Sequence, residues 1–545
     1  MKYAGLRSAL LALAVAAATL STGAEPQKPI LDLDGKPDTR PDAAFVSTVK
    51  VQCSKCHVAP TPSCLPRRLW RARIQEMAQR SLVGTGLVPG EQSVLWQMDL
   101  SQFVRYFEAR APEALPRPDP WPETKPKLQF VRHDYVFPGV VPVPAVANVR
   151  FFDLDGDGRL EIVACDMARG LVLLGDPQRN PGVLTEIASL SNPDHAEMVD
   201  LDKDGRQDLL IADLGDFFPG DHTKGSVAWL RQVAPLKFEK HILIPSLART
   251  ADARAADFDG DGDLDIVVAA FGWHTVGGTF LYENVSTDGK PDHFQPVTID
   301  ARPGPIHVPI VDLNGDGRPD FVDLISQQYE TVMAYINRGA GKGFRPERLF
   351  RAPVPVWGSS GIDMVDLDDD GDLDLLMTNG DSLDDYTIRP FHGVRWFENE
   401  DGLPTQLHLL ALMPGVHRAQ AADMDGDGDL DVVACAFLPK AQHPGMSALS
   451  AQGDLSQYTS VGWMEQTSSK VFKLRALERG AMTHTTLDLG DYDGDGDIDM
   501  LVGNFSGFTF AKSETGFQAK AWVELWENVT PRPARSTADP PPTGR

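Results

Sequence analysis

The sequence predicts an all-β array of seven similar units preceded by a small all-α segment, and three observations carry that expectation. An acidic loop of the form D-x-D-x-D-G-x-x-D recurs seven times, starting at Asp153, Asp200, Asp257, Asp312, Asp366, Asp423 and Asp491. Each copy is followed by an apolar run such as I-V-A-C, D-I-V-V-A-A or M-L-V-G, the pattern of a buried strand. Ahead of residue 112 the apolar residues fall at helical spacing instead.

Composition agrees. At 545 residues the chain is too long for one ordinary core, and its 48 glycines and 42 prolines favour short elements joined by turns. A hydrophobic share of 42% argues against wholesale disorder. The 77 acidic residues against 51 basic ones leave a formal charge of −26, which argues against electrostatic nucleic-acid binding. So many carboxylates must be solvated, repel one another, or hold cations.

Residues 1–24 read as an export signal: Lys2 and Arg7 open it, an apolar run fills residues 9–20, and Thr22-Gly23-Ala24 offers a cleavage site. The run falls short of the ~20 residues a membrane span needs, and nothing later resembles one. A periplasmic or secreted location is expected. Five cysteines are too few and too oddly placed for a disulfide framework.

Residues 53–57 read C-S-K-C-H. Two thiols at this spacing, Cys53 and Cys56, can add to the vinyl groups of haem, and the adjacent His57 then lies beneath the iron. A redox CxxC pair is the competing reading, but the βαβ pattern of thioredoxin-like folds is missing. A helix is expected from near Pro66, carrying Trp70, Ile74 and Met77, and a second from about Gly90 to Ala111, carrying Leu95, Phe103, Val104 and Phe107. With Glu91 at the second helix start, residues 44–111 resemble a small monohaem cytochrome c domain. The resemblance implies Met77 as sixth ligand, with Met98 as competitor. A His/Met pair raises the reduction potential and leaves no open iron position, so the domain would carry electrons. Cys64 has no partner in this stretch and reads as a buried or spare thiol. Residues 112–126 are proline-rich, expected to be extended and to separate this domain from the rest of the chain.

The acidic loops have the chemistry of calcium sites. Carboxylates at positions 1, 3, 5 and 9 can converge on a hard cation if the chain turns at the glycine in position 6. The first loop offers Asp153, Asp155, Asp157 and Glu161; the second Asp200, Asp202, Asp204 and Asp208. The third offers Asp257, Asp259, Asp261 and Asp265; the fourth Asp312, Asn314, Asp316 and Asp320. The fifth offers Asp366, Asp368, Asp370 and Asp374; the sixth Asp423, Asp425, Asp427 and Asp431; the seventh Asp491, Asp493, Asp495 and Asp499. An EF-hand needs a glutamate at position 12, where this chain has Ala164, Ile211, Val268, Asp323, Met377, Ala434 and Val502. That reading fails. The loops instead resemble the FG-GAP or VCBS repeats of integrin-like β-propellers, over residues 127–530. The resemblance implies a seven-bladed β-propeller in which each calcium loop joins the first and second strands of a blade.

The seventh unit shows only three strands, ending at V-E-L-W-E-N. The stretch L-Q-F-V-R-H-D-Y-V, residues 128–136, has the character of the missing fourth, so an N-terminal strand would close the ring. Residues 531–545 read as a disordered tail. Cys165 and Cys435 hold equivalent places in blades one and six and read as buried thiols.

If the calcium loops mark one face, the inner-strand starts and second-strand ends lie on the other. Histidines gather there: His195, His307, His417 and His484 before the loops, with Arg254 and Arg418, and His222, His274, His392 and His443 after the second strands, with Asp216, Asp221 and Asp384. This is the candidate ligand, metal or partner site at the channel mouth. The expected protein carries one covalent haem c and up to seven Ca2+. It transfers electrons to an unidentified redox partner and binds a protein or polysaccharide ligand. A haem-linked dehydrogenase is the first alternative, weakened by the missing dinucleotide fingerprint; a calcium-dependent adhesion module is the second. Seven divalent ions would reduce the formal −26 to about −12.

Overall fold

The computed structural model describes residues 43–54, 57–83, 100–123, 127–140, 143–286, 290–385, 387–400, 402–438, 454–506 and 521–531. The export signal, Cys56, Met98, His443 and the tail from residue 532 lie outside them. Residues 1–47 form a unit of their own, of which only the start of one helix is described.

Strand segregation follows from the repeat. Each acidic loop is followed by a six-residue second strand that is buried along its whole length in all seven units. An uninterrupted apolar strand must be covered on both faces, and packing sheets around a ring does this. Seven antiparallel sheets result. Six are formed from consecutive strands, as in Val146–Phe152, Glu161–Asp166, Leu171–Gly175 and Leu184–Ser189 of blade one. In blade four the inner strand is split into Pro305–His307 and Ile310–Val311. The seventh sheet is completed by Phe130–Tyr135, which pairs antiparallel with Val523–Asn528 from the other end of the chain. The expected closing strand is therefore present, and the seven-bladed β-propeller is closed. Trp526 is buried at this seam beneath Arg132, whose guanidinium lies 3.5 Å above the ring.

Three α-helices precede the propeller among the described residues: α1 (Ala43–Cys53), α2 (Arg67–Val83) and α3 (Leu100–Arg110). Trp70 of α2 stacks on Phe107 of α3 with centroids 4.0 Å apart, and its Nε1 donates to the Pro62 carbonyl at 3.0 Å. Cys64, in the short 3-10 turn between α1 and α2, is buried. Cys165 and Cys435 are buried free thiols.

The proline-rich connector does not hang free. Trp121 is buried in the core of blades five and six, and its Nε1 donates to the Leu412 carbonyl at 2.7 Å. Arg479 returns hydrogen bonds to the carbonyls of Trp121 and Pro122. Gly462 leaves the room, since a Cβ there would meet the Trp121 ring at 2.5 Å. One aromatic residue thus turns an extended segment into a strap along blade six.

Candidate functional site

The acidic loops all join an inner strand to a second strand and so stand on one face. Their backbones repeat closely. Position six is glycine at positive φ in every loop, from +79° at Gly317 to +99° at Gly428. Position four is also left-handed; glycine fills it in five loops, while Lys203 and Asp369 adopt it in the other two. In all seven, the N–H of the position-six glycine donates to the first aspartate at 2.7–3.2 Å.

The ninth-position carboxylate accepts the N–H of position two in every loop, at 3.0–3.4 Å. In blades two to seven its other oxygen accepts the N–H of an amide residue ending the third strand, as from Gln232, Asn337 and Asn528. Three of those amides reach on to the preceding blade: Gln232 to the Leu154 carbonyl, Asn337 to Phe258 and Asn528 to Met424. The ninth-position acid is thus a structural staple as well as a candidate ligand.

Carboxylate oxygens of Asp153, Asp155 and Glu161 converge within 4.8 Å, as do those of Asp257, Asp259 and Asp265, and similar triads occur in other loops. Buried Oδ1 atoms of Asp153, Asp155 and Asp425 have no hydrogen-bond partner. Burial, and the neighbouring carboxylates after it, push Glu161, Asp431 and Asp499 up to about 7 and Asp265 and Asp374 up to about 6. A hard divalent cation fits such a donor set. The loops are not equivalent, however. Arg179 stands 2.9 Å from Asp155, Arg231 2.6 Å from Asp202, Lys470 2.7 Å from Asp368 and Lys127 3.8 Å from Asp425, and Arg318 pairs with Asp316. Among the described residues, only the candidate ligands of loops three and seven have no such neighbour.

The opposite face is shaped by a feature with no sequence signature. Every inner strand carries a β-bulge at the same place, leaving one residue unpaired between Val146 and Asn148, Pro193 and His195, Thr250 and Asp252, and so on round the ring. A bulge re-aims a side chain. The seven bulge residues, Ala147, Asp194, Ala251, Ile306, Ser360, His417 and Thr485, all line a mouth cavity of about 330 Å³. His195, His307 and Arg418 line it too, beneath aromatic walls from Phe217, Phe271, Phe437 and Phe505.

His195 Nδ1 lies 2.9 Å from Asp252 Oδ1. Asp252 lies well below the usual carboxylate range: burial alone would raise it, but Arg254 and His195 hold it charged. Burial lowers His307 to about 3 and His417 to about 4, so both rings are neutral at ordinary pH. Arg254 lies below the mouth, paired with Asp252 and Glu197. The remaining expected mouth residues lie elsewhere. His484 occupies the paired position ahead of its bulge and is buried against Glu478. His392 is buried and outside the cavity lining. His222 accepts the Lys224 N–H in the loop that carries Asp221. His274 belongs to a neighbouring loop held by Asp221, which accepts three successive N–H groups from His274, Thr275 and Val276.

A second cavity, of about 460 Å³, lies beside α2 and α3. Cys53, His57, Met77, Trp70, Ile74, Phe103 and Phe107 line one side, and His274, Tyr329 and Asp385 line the other. The helical residues Trp70, Ile74 and Met77 fall on one face of α2, at the spacing that turns all three inward. His57 Nδ1 donates to the Val58 carbonyl at 2.8 Å, which makes Nε2 the basic ring nitrogen. An apolar cavity with a thiol, an oriented imidazole and a thioether on its wall fits haem c. Arg73 of α2 donates to the Asp384 carbonyl at 2.6 Å and lies 3.6 Å from Asp385. Gln327, Pro355, Val356 and Asp384 line both cavities.

The FG-GAP-like repeat family matches residues 153–211, 200–268 and 312–377. Within these stretches, from the first to the fifth acidic loop, the propeller carries FG-GAP-like repeats. No curated protein matches the chain significantly. Solved structures with similar folds include an Agrocybe aegerita lectin recognising non-reducing terminal N-acetylglucosamine, 16% identical, with a TM-score of 0.40 over 65% of this chain and 90% of that one. BBS1N in complex with ARL6DN is 12% identical, with a TM-score of 0.42 over 75% and 99%. The V. cholerae biofilm matrix protein Bap1 is 12% identical, with a TM-score of 0.33 over 71% and 77%. No helix among the described residues is long and apolar enough to cross a membrane.

The propeller also holds an acid–base contact that the spacing of histidines could not assign. Glu478 accepts His484 Nε2 at 2.7 Å and pairs with Arg132 of the closing strand at 2.6 Å. Burial alone would raise this carboxyl, but His484 and Arg132 hold it at about 2. A carboxyl lower in the folded state stabilises above its unfolded value and loses that contribution as pH falls toward the folded one. Stability is therefore expected to decline between pH 4.5 and 2. Glu478→Gln is expected to cost about 2 kcal/mol at pH 7 but little at pH ~2. Denaturant unfolding of both proteins across that window measures the convergence; parallel curves would exclude this contact as its source.

Proposed function

We propose that the protein is an exported electron carrier of the c-type haem class whose calcium-stiffened FG-GAP-like propeller binds a protein or polysaccharide ligand at its mouth. One observation carries the reading: the cavity lined by Cys53, His57 and Met77 shares four wall residues with the propeller mouth. Cys53 and Cys56 would hold haem covalently, and His57 and Met77 would bind its iron. When bound, haem supplies one-electron transfer. Trp70, Phe103 and Phe107 exclude water from the pocket, and Arg73 fixes α2 to the blade-five loop through Asp384.

The test is the haemochrome spectrum and intact mass of the protein exported from a host that matures c-type cytochromes. One haem per chain is expected, and a chain that matures without haem would sink the electron-transfer half. The shared wall also favours a second reading, a haem-linked dehydrogenase whose substrate sits at the mouth. Reduction of the haem by a small sugar, alcohol or amine, with no added reductant, distinguishes it from simple binding.

A further inference from the structure

The mouth holds a buried cation that no carboxylate among the described residues pairs with. Arg249 joins the outer strand of blade two to the inner strand of blade three, and only 6% of it is exposed. Among the described residues its side chain makes no hydrogen bond or ion pair, its buried Nε included, and its guanidinium carbon lies 5.4 Å from the centroid of the Phe271 ring. Equivalent positions ahead of other inner strands carry Ala145, Asn192, Gly304, Gly358, Gly415 and Thr483, so Arg249 is a departure from the repeat. Asp194 and Asp216 act on it at longer range than an ion pair. Removing a guanidinium from water without a partner costs stability, and a fold keeps such a group where a ligand completes it.

The surroundings narrow the ligand. The other arginines of the lining are engaged, Arg389 with Asp385 and Arg418 with the Ile362 carbonyl, so Arg249 offers the one fork left over, which matches a single carboxylate better than a phosphate dianion. The aromatic walls, with Phe217 stacked 6.4 Å from Phe505 at an interplanar angle of 5°, suit the flat face of a ring. Neutral His307 and His417 offer ring nitrogens to hydroxyl groups, and Ser360 and Thr485, whose hydroxyls donate to the Val416 and Val146 carbonyls, offer acceptor oxygens. A cavity of about 330 Å³ has room for one monosaccharide-sized body. We propose that the mouth binds a hydroxylated ring carboxylate of the sugar-acid class, its carboxylate on Arg249 and its ring resting against the phenylalanine wall. The inference rests on the binding half of the proposed function and not on haem.

Calorimetric titration of the full-length exported protein with glucuronate, its methyl ester, glucose and benzoate tests it. Glucuronate is expected to bind at least about tenfold more tightly than each of the other three, the loss expected when a charged or hydroxyl contact goes unmade. Equal binding of the ester or glucose would overturn the charge assignment, and preference for benzoate would overturn the sugar-acid class. No binding of any probe would overturn the proposal, and haem content, read on the same sample, is unaffected by that result. Arg249→Met is expected to abolish discrimination against the ester while raising the melting temperature of the unliganded protein by a few degrees. A lower melting temperature with glucuronate affinity unchanged would make Arg249 structural and end the proposal.

Discussion

Stripping divalent cations is expected to lower the stability of this protein by about 5 kcal/mol, read as a fall in melting temperature that calcium restores. The magnitude comes from two sites near hundredfold saturation, each adding about 2.7 kcal/mol. Two is the number because, among the described residues, candidate ligands in five of the seven loops already face a basic side chain of the chain's own. Arg179, Arg231, Arg318, Lys470 and Lys127 offset part of the negative charge that would draw in an ion. In loops three and seven, starting at Asp257 and Asp491, no basic side chain among the described residues pairs with a candidate ligand, Lys203 reaching only the non-ligand Asp263, and these loops are expected to form the tight class. Calcium titration followed by calorimetry should therefore resolve about two tight sites from a weaker remainder. Asp259→Ala with Asp493→Ala should remove most of the calcium-dependent rise in melting temperature, whereas Asp155→Ala should remove little. Seven equivalent sites would refute the role given to the basic side chains. These third-position residues are the right probes, because the ninth-position carboxylates also staple backbone and would destabilise the blade with or without metal.

The second large effect is expected at the haem pocket. Met77 lies on the same face of α2 as Trp70 and Ile74 and lines the cavity opposite the propeller loops. As sixth ligand it would hold the iron potential high, so Met77→His is expected to lower the midpoint by an amount on the order of 0.1 V. Met77→Ala should open the iron to added imidazole or cyanide, which the parent protein resists. Redox titration with optical detection checks both. A potential and ligand affinity unmoved by either change would pass the role to Met98.

Most of the architecture was legible because it is written in a repeat. Seven acidic loops, each with its apolar strand, set the blade count, and the three-strand seventh blade required a donor that residues 128–136 resemble. Helices α2 and α3 followed from the spacing of Trp70, Ile74, Phe103 and Phe107. What escaped depends on single residues without periodicity. The bulge that turns Asp194, Ser360 and His417 into the mouth is a one-residue slip in pairing, and no residue type marks it. For the same reason His484, one position too early, is buried against Glu478 although it resembles His417 in the sequence. Proline content made the connector read as a spacer, and the anchoring by Trp121 depends on a gap left at Gly462, far along the chain. Arg249 belongs to no motif, yet a lone arginine at a position otherwise small or neutral was a visible signal.

The closing strand also governs how the protein is made. His133 and Glu527, facing each other across the seventh blade, are 394 positions apart. A chain still emerging from the ribosome cannot finish the ring, so six blades wait with an open edge until Val523–Asn528 has been made. Bringing ends so distant together is an entropic toll levied late, which makes ring closure the natural rate-limiting step of folding. The same seam is where opening would begin, so additions that stiffen it, such as a disulfide across the paired strands, should lengthen the lifetime of the folded protein more than reinforcement of any other blade.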